Sequence, residues 1–337
     1  MAAYFTTKGY STSLYAREQE RVDMFPKDNM FHIHGVLDTV VKVDLISTSM
    51  RDVLKDAFLI MVTTPTHYHP DIAVAMAPYL VDGQIVILNP GRTFGTYSFA
   101  QNLTKSGCTA KYILGETDTF ALTCRCEIPG EPHIYSFKNT LQVAAHDATH
   151  NKNIVDALSP LFRNVVALPN VLYTGFGNIG MIFHPLPVLM NLTRIEAKER
   201  FLYYTQGITP LVASVLEKMD KERIAVANAY GVRIPSAFEW MKLNYDTHGD
   251  TLYDRIQNNP GYADIYAPTY LDTRYVLEDV PTGCVPVYYA GKAAGVPTPT
   301  IQAVIDWANA VYNENLYAKG RNDKIIDFDA IHKEYNL

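Results

Sequence analysis

The sequence predicts an α/β domain built on a doubly wound parallel sheet, followed by an all-α domain. Three observations predict it. In the first half, short apolar runs alternate with stretches of helical periodicity. Those runs are nearly continuous in apolar residues, as expected of parallel strands covered on both faces. Beyond about residue 168 the strand-like runs give way to helix. The chain has 337 residues, 48% of them hydrophobic, ample for two cores. We place the boundary at Leu168–Pro169, giving domains 1–168 and 169–337.

The elements follow in order. "STSLYA" (11–16), "FLIMVT" (58–63), "QIVILN" (84–89) and "KYILGE" (111–116) read as strands. "TSMRDVLKDA" (48–57), "HPDIAVAMAPYL" (69–80) and "GTYSFAQNLTKS" (95–106) read as the helices between them. From 124 to 145 the runs "RCEI", "HIYSF" and "LQVAA", bounded by "PGEP" and "KNT", suggest strands added at the sheet edge. The second half carries long helical stretches, among them the run from "EAKERF" to "AVANAYG".

Composition excludes several classes. A net charge of -6 with no Lys/Arg block gives no electrostatic footing for nucleic acid or an anionic membrane surface. The apolar runs are too short to cross a bilayer, and the first residues lack the apolar core of a signal peptide. Cys108, Cys124, Cys126 and Cys284 form no metal-ligand spacing and no disulfide framework. They are expected to be reduced thiols in a cytoplasmic protein, with no metal.

A dinucleotide-binding sheet ordinarily opens with a strand, a Gly-rich turn and a helix whose N-terminus meets the pyrophosphate. Here "MAAYFTTKG" reads as the end of that helix, with Gly9 as its C-cap, and "YSTSLYAR" as the second strand. The first strand and Gly-rich loop are therefore expected to be missing. The other reading is a helix–turn–strand of an unrelated α/β domain. Where the second strand ends, an acid usually holds the ribose 2′-OH; here Ala16 stands there, followed by Arg17. An arginine suits a 2′-phosphate, so NADP(H) is slightly favoured over NAD(H), unless Arg17 is a solvated surface residue.

Several stretches taken together resemble the opine dehydrogenase family of octopine/nopaline type. They are "MAAYFTTKGYSTSLYAR", "TTPTHYHPDIAVAMAPYLVDGQIVILNPGRTFG", "GETDTF", "NIGMIFHPLPVLMNLTRIE" and "TRYVLEDVPTGCVPVYYAGKAAGVPTPT". The pairing of an Arg274-Tyr275-x-x-Glu278-Asp279 run with an upstream His-Pro segment is the specific part. The resemblance implies a Rossmann-like first domain, an all-helical second domain and NAD(P)H-dependent condensation of an amino acid with a 2-oxo acid through an imine. It matches His184 to the family's catalytic histidine and Asp279 to its carboxylate partner.

The residues can support that chemistry. Loss of the carbonyl oxygen as water and protonation of the imine need a proton shuttle near neutral pH, the range of histidine. A carboxylate on one ring nitrogen fixes the tautomer and stabilises the imidazolium. Pro185 disfavours helical backbone at His184 and can start a new helix there, aiming the ring into an interdomain cleft. At such a helix N-terminus the macrodipole disfavours the imidazolium while Asp279 favours it.

Around this pair, Asn178 and Asn191 are offered as substrate-binding amides, or as groups that satisfy backbone at the break. Asn191, seven residues after His184, shares its face if the helix is continuous. Arg274 would bind a substrate carboxylate or the cofactor, the alternative being an interdomain salt bridge. Arg194 and Glu196 read as helix-surface charges. Strand-end loops offer Thr64, Pro65, Thr66 and His67, then Asn89, Pro90 and Gly91, then Glu116 and Thr117, as the border of the dinucleotide. A cationic substrate side chain would call for an inward acid among Asp246, Asp250, Asp254, Asp264 and Asp272.

Two other readings use the same residues. One is a two-domain NAD(P)-dependent reductase of a hydroxy or oxo acid without condensation. The other is a non-catalytic binder of amino and oxo acids. The protein is expected to act as a monomer or homodimer.

Overall fold

The computed structural model describes residues 1–245 and 247–335. The chain divides into two compact units, Met1–Gly91 with Gly95–Thr174, and Arg92–Phe94 with the chain from Gly175 onward.

The first unit opens with a helix, Ala2–Thr7, followed by Gly9 at φ +84° and the strand Ser13–Tyr15. Its main sheet has five strands in the order Val165–Ala167, Leu141–Ala145, Ile113–Thr117, Ile85–Leu88, Leu59–Val62. The last three are mutually parallel, whereas Leu141–Ala145 runs antiparallel to Ile113–Thr117. Ser13–Tyr15 and Leu45–Ser47 form a separate parallel pair. The runs predicted as parallel strands at 58–63, 84–89 and 111–116 are so, and the antiparallel neighbour is one of the strands added after them.

The strand Ile85–Leu88 shows why it must be central. Ile85 and Ile87 enter one apolar cluster, with Ile154, Leu158 and Val143. Val86 and Leu88 enter the other, with Met76, Phe99 and Leu103. Alternate side chains point to opposite faces, so four apolar residues in a row require cover on both sides. The helices His69–Met76 and Gly95–Lys105 supply one cover, and Asn151–Leu158 supplies part of the other.

The edge strands predicted at 124–145 are only partly so. Leu141–Ala145 joins the main sheet, but Leu122–Arg125 and His133–Phe137 belong to a four-stranded sheet with Met30–Gly35 and Thr39–Lys42. Phe31 and Ile33 point into the core and His32 and His34 out. That half-buried alternation is the signal that marks the strand.

The second unit is helical from Val171–Phe176 onward, its longest helix being Pro210–Ala229. Arg223 is buried on that helix because it binds Asp220 at 2.7 Å and donates to the Phe176 carbonyl at 2.6 Å. Among the described residues, no helix is long and apolar enough to cross a membrane, and the four cysteines are free. Asp246 lies outside the described residues. Asp250, Asp264 and Asp272 are exposed, and Asp254 closes a capping box with Thr251.

Replacing Ile87, fully buried, by Ala leaves a cavity inside the double-covered sheet. Thermal and denaturant unfolding should show a loss of about 2–5 kcal/mol; an unchanged midpoint would contradict the packing described.

Candidate active site

In the helical unit, residues 180–190 form two short helices, Gly180–Phe183 and Pro185–Met190, that meet at His184. The cause is local. Pro185 and Pro187 have no N–H, so the carbonyls four residues earlier, those of Met181 and Phe183, lose their helical partners. Each finds another. The Tyr203 hydroxyl is shared between the His184 carbonyl at 2.7 Å and the Phe183 carbonyl at 3.2 Å. The Cys284 thiol lies 3.9 Å from the Met181 carbonyl. Burial pushes both the Tyr203 phenol and the Cys284 thiol up, so both keep the proton they donate.

His184 is held on two sides. Its Nδ1 lies 2.7 Å from Asp279 Oδ2, and its ring stacks on Tyr275 with centroids 4.3 Å apart and an interplanar angle of 12°. Asp279 is fully buried. It follows the short helix Arg274–Leu277 and opens a single π-helical turn, Val280–Cys284. Such turns recur at functional sites because they re-aim side chains.

Burial would push the Asp279 carboxyl up, but the Arg92 guanidinium, the His184 imidazole with its hydrogen bond, and Arg274 outweigh it and hold the group below its usual range. Arg92 is the residue that sequence reasoning missed. Its Nη2 is 3.9 Å from Asp279 Oδ1, and its Nη1 donates to Asn178 Oδ1 at 3.1 Å. The available signal was a lone arginine directly after the "NPG" turn.

The two amides differ in use. Asn178 is buried; its Oδ1 accepts from Arg92 and from the Gly180 N–H, and its Nδ2 donates to Thr93 Oγ1. Asn191 ends the helix at φ -118° and spends its Nδ2 on the Pro187 and Gly207 carbonyls, both at 2.8 Å. Both serve neighbouring protein groups; His184 caps the helix Pro185–Met190 at one end and Asn191 at the other. Arg274, half exposed, pairs with Glu278 at 3.8 Å. Arg194 binds Glu199 and covers Phe201.

The sheet unit has a cavity of about 370 Å³ where Ser13–Tyr15 and Leu59–Val62 end. It brings together Ala16, Arg17, Thr64 and Pro65, with Arg21, Tyr68 and the apolar Leu14, Phe25 and Ile72. Arg17 lies 4.8 Å from the Tyr68 ring centroid and 3.0 Å from Glu18. Thr66 is buried, and His67 packs on Tyr68; neither lines this cavity.

The remaining strand-end residues form a second, buried cluster. Asn89 Oδ1 accepts from the Ala121 N–H at 3.0 Å and from Thr117 Oγ1 at 3.1 Å. Glu116 accepts from the Thr96 N–H at 3.2 Å and from Thr174 Oγ1 at 2.5 Å. Pro90 is buried beside Gly91, where an added Cβ would fall 1.9 Å from Glu116 Oε2. These residues brace the loops.

A family model described as "NAD/NADP octopine/nopaline dehydrogenase, alpha-helical domain" matches residues 167–312. The chain is 36% identical over 321 residues to the opine dehydrogenase of Arthrobacter sp. (strain 1C), covering 95% of this chain and 89% of that protein. A solved octopine dehydrogenase in complex with NADH and agmatine has a TM-score of 0.81 at 18% identity, over 97% of this chain and 92% of that one. NADP+-bound yersinopine dehydrogenase has a TM-score of 0.73 at 14% identity, over 99% and 94%. At such identities the likeness of structure is one of fold. Fold and relatives together define an NAD(P)-dependent oxidoreductase. The chain belongs to the opine dehydrogenase family.

Tyr203→Phe leaves the buried Phe183 carbonyl without the phenol's donor, while the His184 carbonyl keeps the Val188 N–H. It should cost about 1–3 kcal/mol in chemical denaturation. An unaltered unfolding curve would show that the phenol does not stabilise the break.

Proposed function

We propose that this protein joins the amino group of an amino acid to the carbonyl carbon of a 2-oxo acid and reduces the resulting imine, with His184 and Asp279 handling the proton. The observation that carries the reading is the 2.7 Å contact between His184 Nδ1 and the buried Asp279 carboxylate. With Nδ1 committed, Nε2 is the nitrogen left for substrate. The amine nitrogen bonds to the carbonyl carbon, the carbonyl oxygen leaves as water, and the C=N bond is reduced. His184 takes a proton from the attacking nitrogen and, as the imidazolium that Asp279 stabilises, gives it to the departing oxygen.

A bound nicotinamide dinucleotide supplies the hydride. The cavity beside Arg17 fits one end of it: Leu14, Phe25 and Ile72 offer apolar walls for a base, and Arg17 and Arg21 offer cations for phosphate. With Ala16 where an acid would hold a ribose 2′-OH, this supports NADP(H) over NAD(H). Arg274, half exposed beside the dyad residues, is proposed to hold a carboxylate of substrate or a phosphate of the cofactor. Asn178 and Asn191 are proposed to shape the substrate site through the groups they hold.

The test follows NADPH oxidation with a 2-oxo acid, with and without amino acids. Turnover should require the amino acid; equal rates with the oxo acid alone would favour a hydroxy-acid-forming reductase. His184→Asn should lower kcat by about 10²–10⁴-fold. Arg17→Ala should raise the KM for NADPH about tenfold while leaving that for NADH nearly unchanged. A parallel rise in both would overturn the 2′-phosphate role.

A further inference from the structure

Any role for Arg92 rests on the reading of His184 and Asp279 as the proton-handling pair, a reading that does not itself use the arginine. The Arg92 side chain is 10% exposed. Nη2 addresses Asp279 Oδ1, the oxygen that His184 does not use and that accepts no hydrogen bond. Arg92 also holds φ +61°, in the left-handed region that non-glycine residues enter at a cost, and Phe94 two residues on holds φ +55°.

The residue between them is tied down. Thr93 Oγ1 donates to the Gly175 carbonyl at 2.9 Å, and the Thr93 N–H donates to the Thr282 carbonyl at 3.2 Å. Gly180 leaves the room required, since a Cβ there would come within 2.8 Å of Arg92 Nη1 and 2.9 Å of Asp279 Oδ1. A strained backbone, a buried guanidinium and a glycine that makes space for both converge on one carboxylate oxygen.

We propose that Arg92 is a positioning residue for the reduction: its guanidinium holds the Asp279 carboxylate by Oδ1, so that Oδ2 stays on His184 Nδ1 and the imidazole works beside a neutralised ion pair instead of a bare carboxylate. The other groups facing the pair do not substitute for it. Tyr203, Tyr204 and Cys284 are kept protonated by burial. Tyr275 covers the imidazole face, and Arg274 shares its charge with Glu278. Without Arg92, the full charge of Asp279 acts on His184, which then holds its proton to higher pH.

The test compares wild type, Arg92→Met, Arg92→Lys and His184→Asn. Each is followed by the pH profile of kcat/KM in the reductive direction and by long-range ¹H–¹⁵N NMR of the imidazoles, with the His184 signal assigned by its loss in His184→Asn. In Arg92→Met the His184 midpoint and the alkaline limb should both move up by about one pH unit. Arg92→Lys should restore most of the shift. Asn178→Ala, which removes the acceptor of Nη1, should move both the same way by less, and serves if Arg92→Met does not fold. Midpoints that superimpose on wild type in both Arg92→Met and Asn178→Ala overturn the proposal while the dyad stands. Wild-type turnover in His184→Asn overturns the dyad, and the role of Arg92 with it.

Discussion

The arrangement of the helical unit depends on one constraint: a carboxylate at position 279 with no exposure to water. A buried charge is tolerated only where partners and hydrogen bonds replace its hydration. His184 meets one oxygen and Arg92 faces the other. Asn178 fixes Arg92, and the bare Cα of Gly180 keeps the space open. Each of these residues has a different distance in sequence from Asp279, yet all answer the same electrostatic demand.

The sheet unit meets a similar demand by other means. Glu116 is fully buried at a strand end, and its carboxylate takes a backbone N–H at the start of the helix Gly95–Lys105, where the dipole favours negative charge. Asn89 does comparable work with an uncharged amide. Both fix loops that border strand ends, which is where ligands sit in open α/β sheets.

Much of this was legible in the sequence where one residue's environment is set by its neighbours. The run from Ile85 to Leu88 could only be a doubly covered strand, and the proline pair required a break at His184. The partnership with Asp279 came from resemblance, because no spacing rule links residues so far apart. Arg92 was not legible: its burial follows from a left-handed turn and from a carboxylate that only tertiary structure brings near. Asn191, two turns after His184, closes the helix that His184 opens, but its hydrogen bonds to the Pro187 and Gly207 carbonyls depend on tertiary packing that spacing does not show. Among the strand-end residues, position could suggest a ligand border but could not separate Thr64 and Pro65, which line the cavity, from Asn89 and Glu116, which brace neighbouring loops. In the four-stranded sheet, Met30–Gly35 and Thr39–Lys42 were not read as strands, because they are short and carry polar residues on their outer faces.

The way the proline break is satisfied also constrains how such a chain can diverge. Pro187 frees a carbonyl that takes its hydrogen bond from Tyr203, and Pro185 frees one that Cys284 approaches. Exchanging Tyr203 or Cys284 alone leaves a carbonyl stranded in the interior, whereas exchanging it together with its proline does not. Homologous chains drifting at these positions should therefore change them in pairs, Pro187 with Tyr203 and Pro185 with Cys284. The histidine's aim is inherited as a linked set of four residues, not as a single side chain.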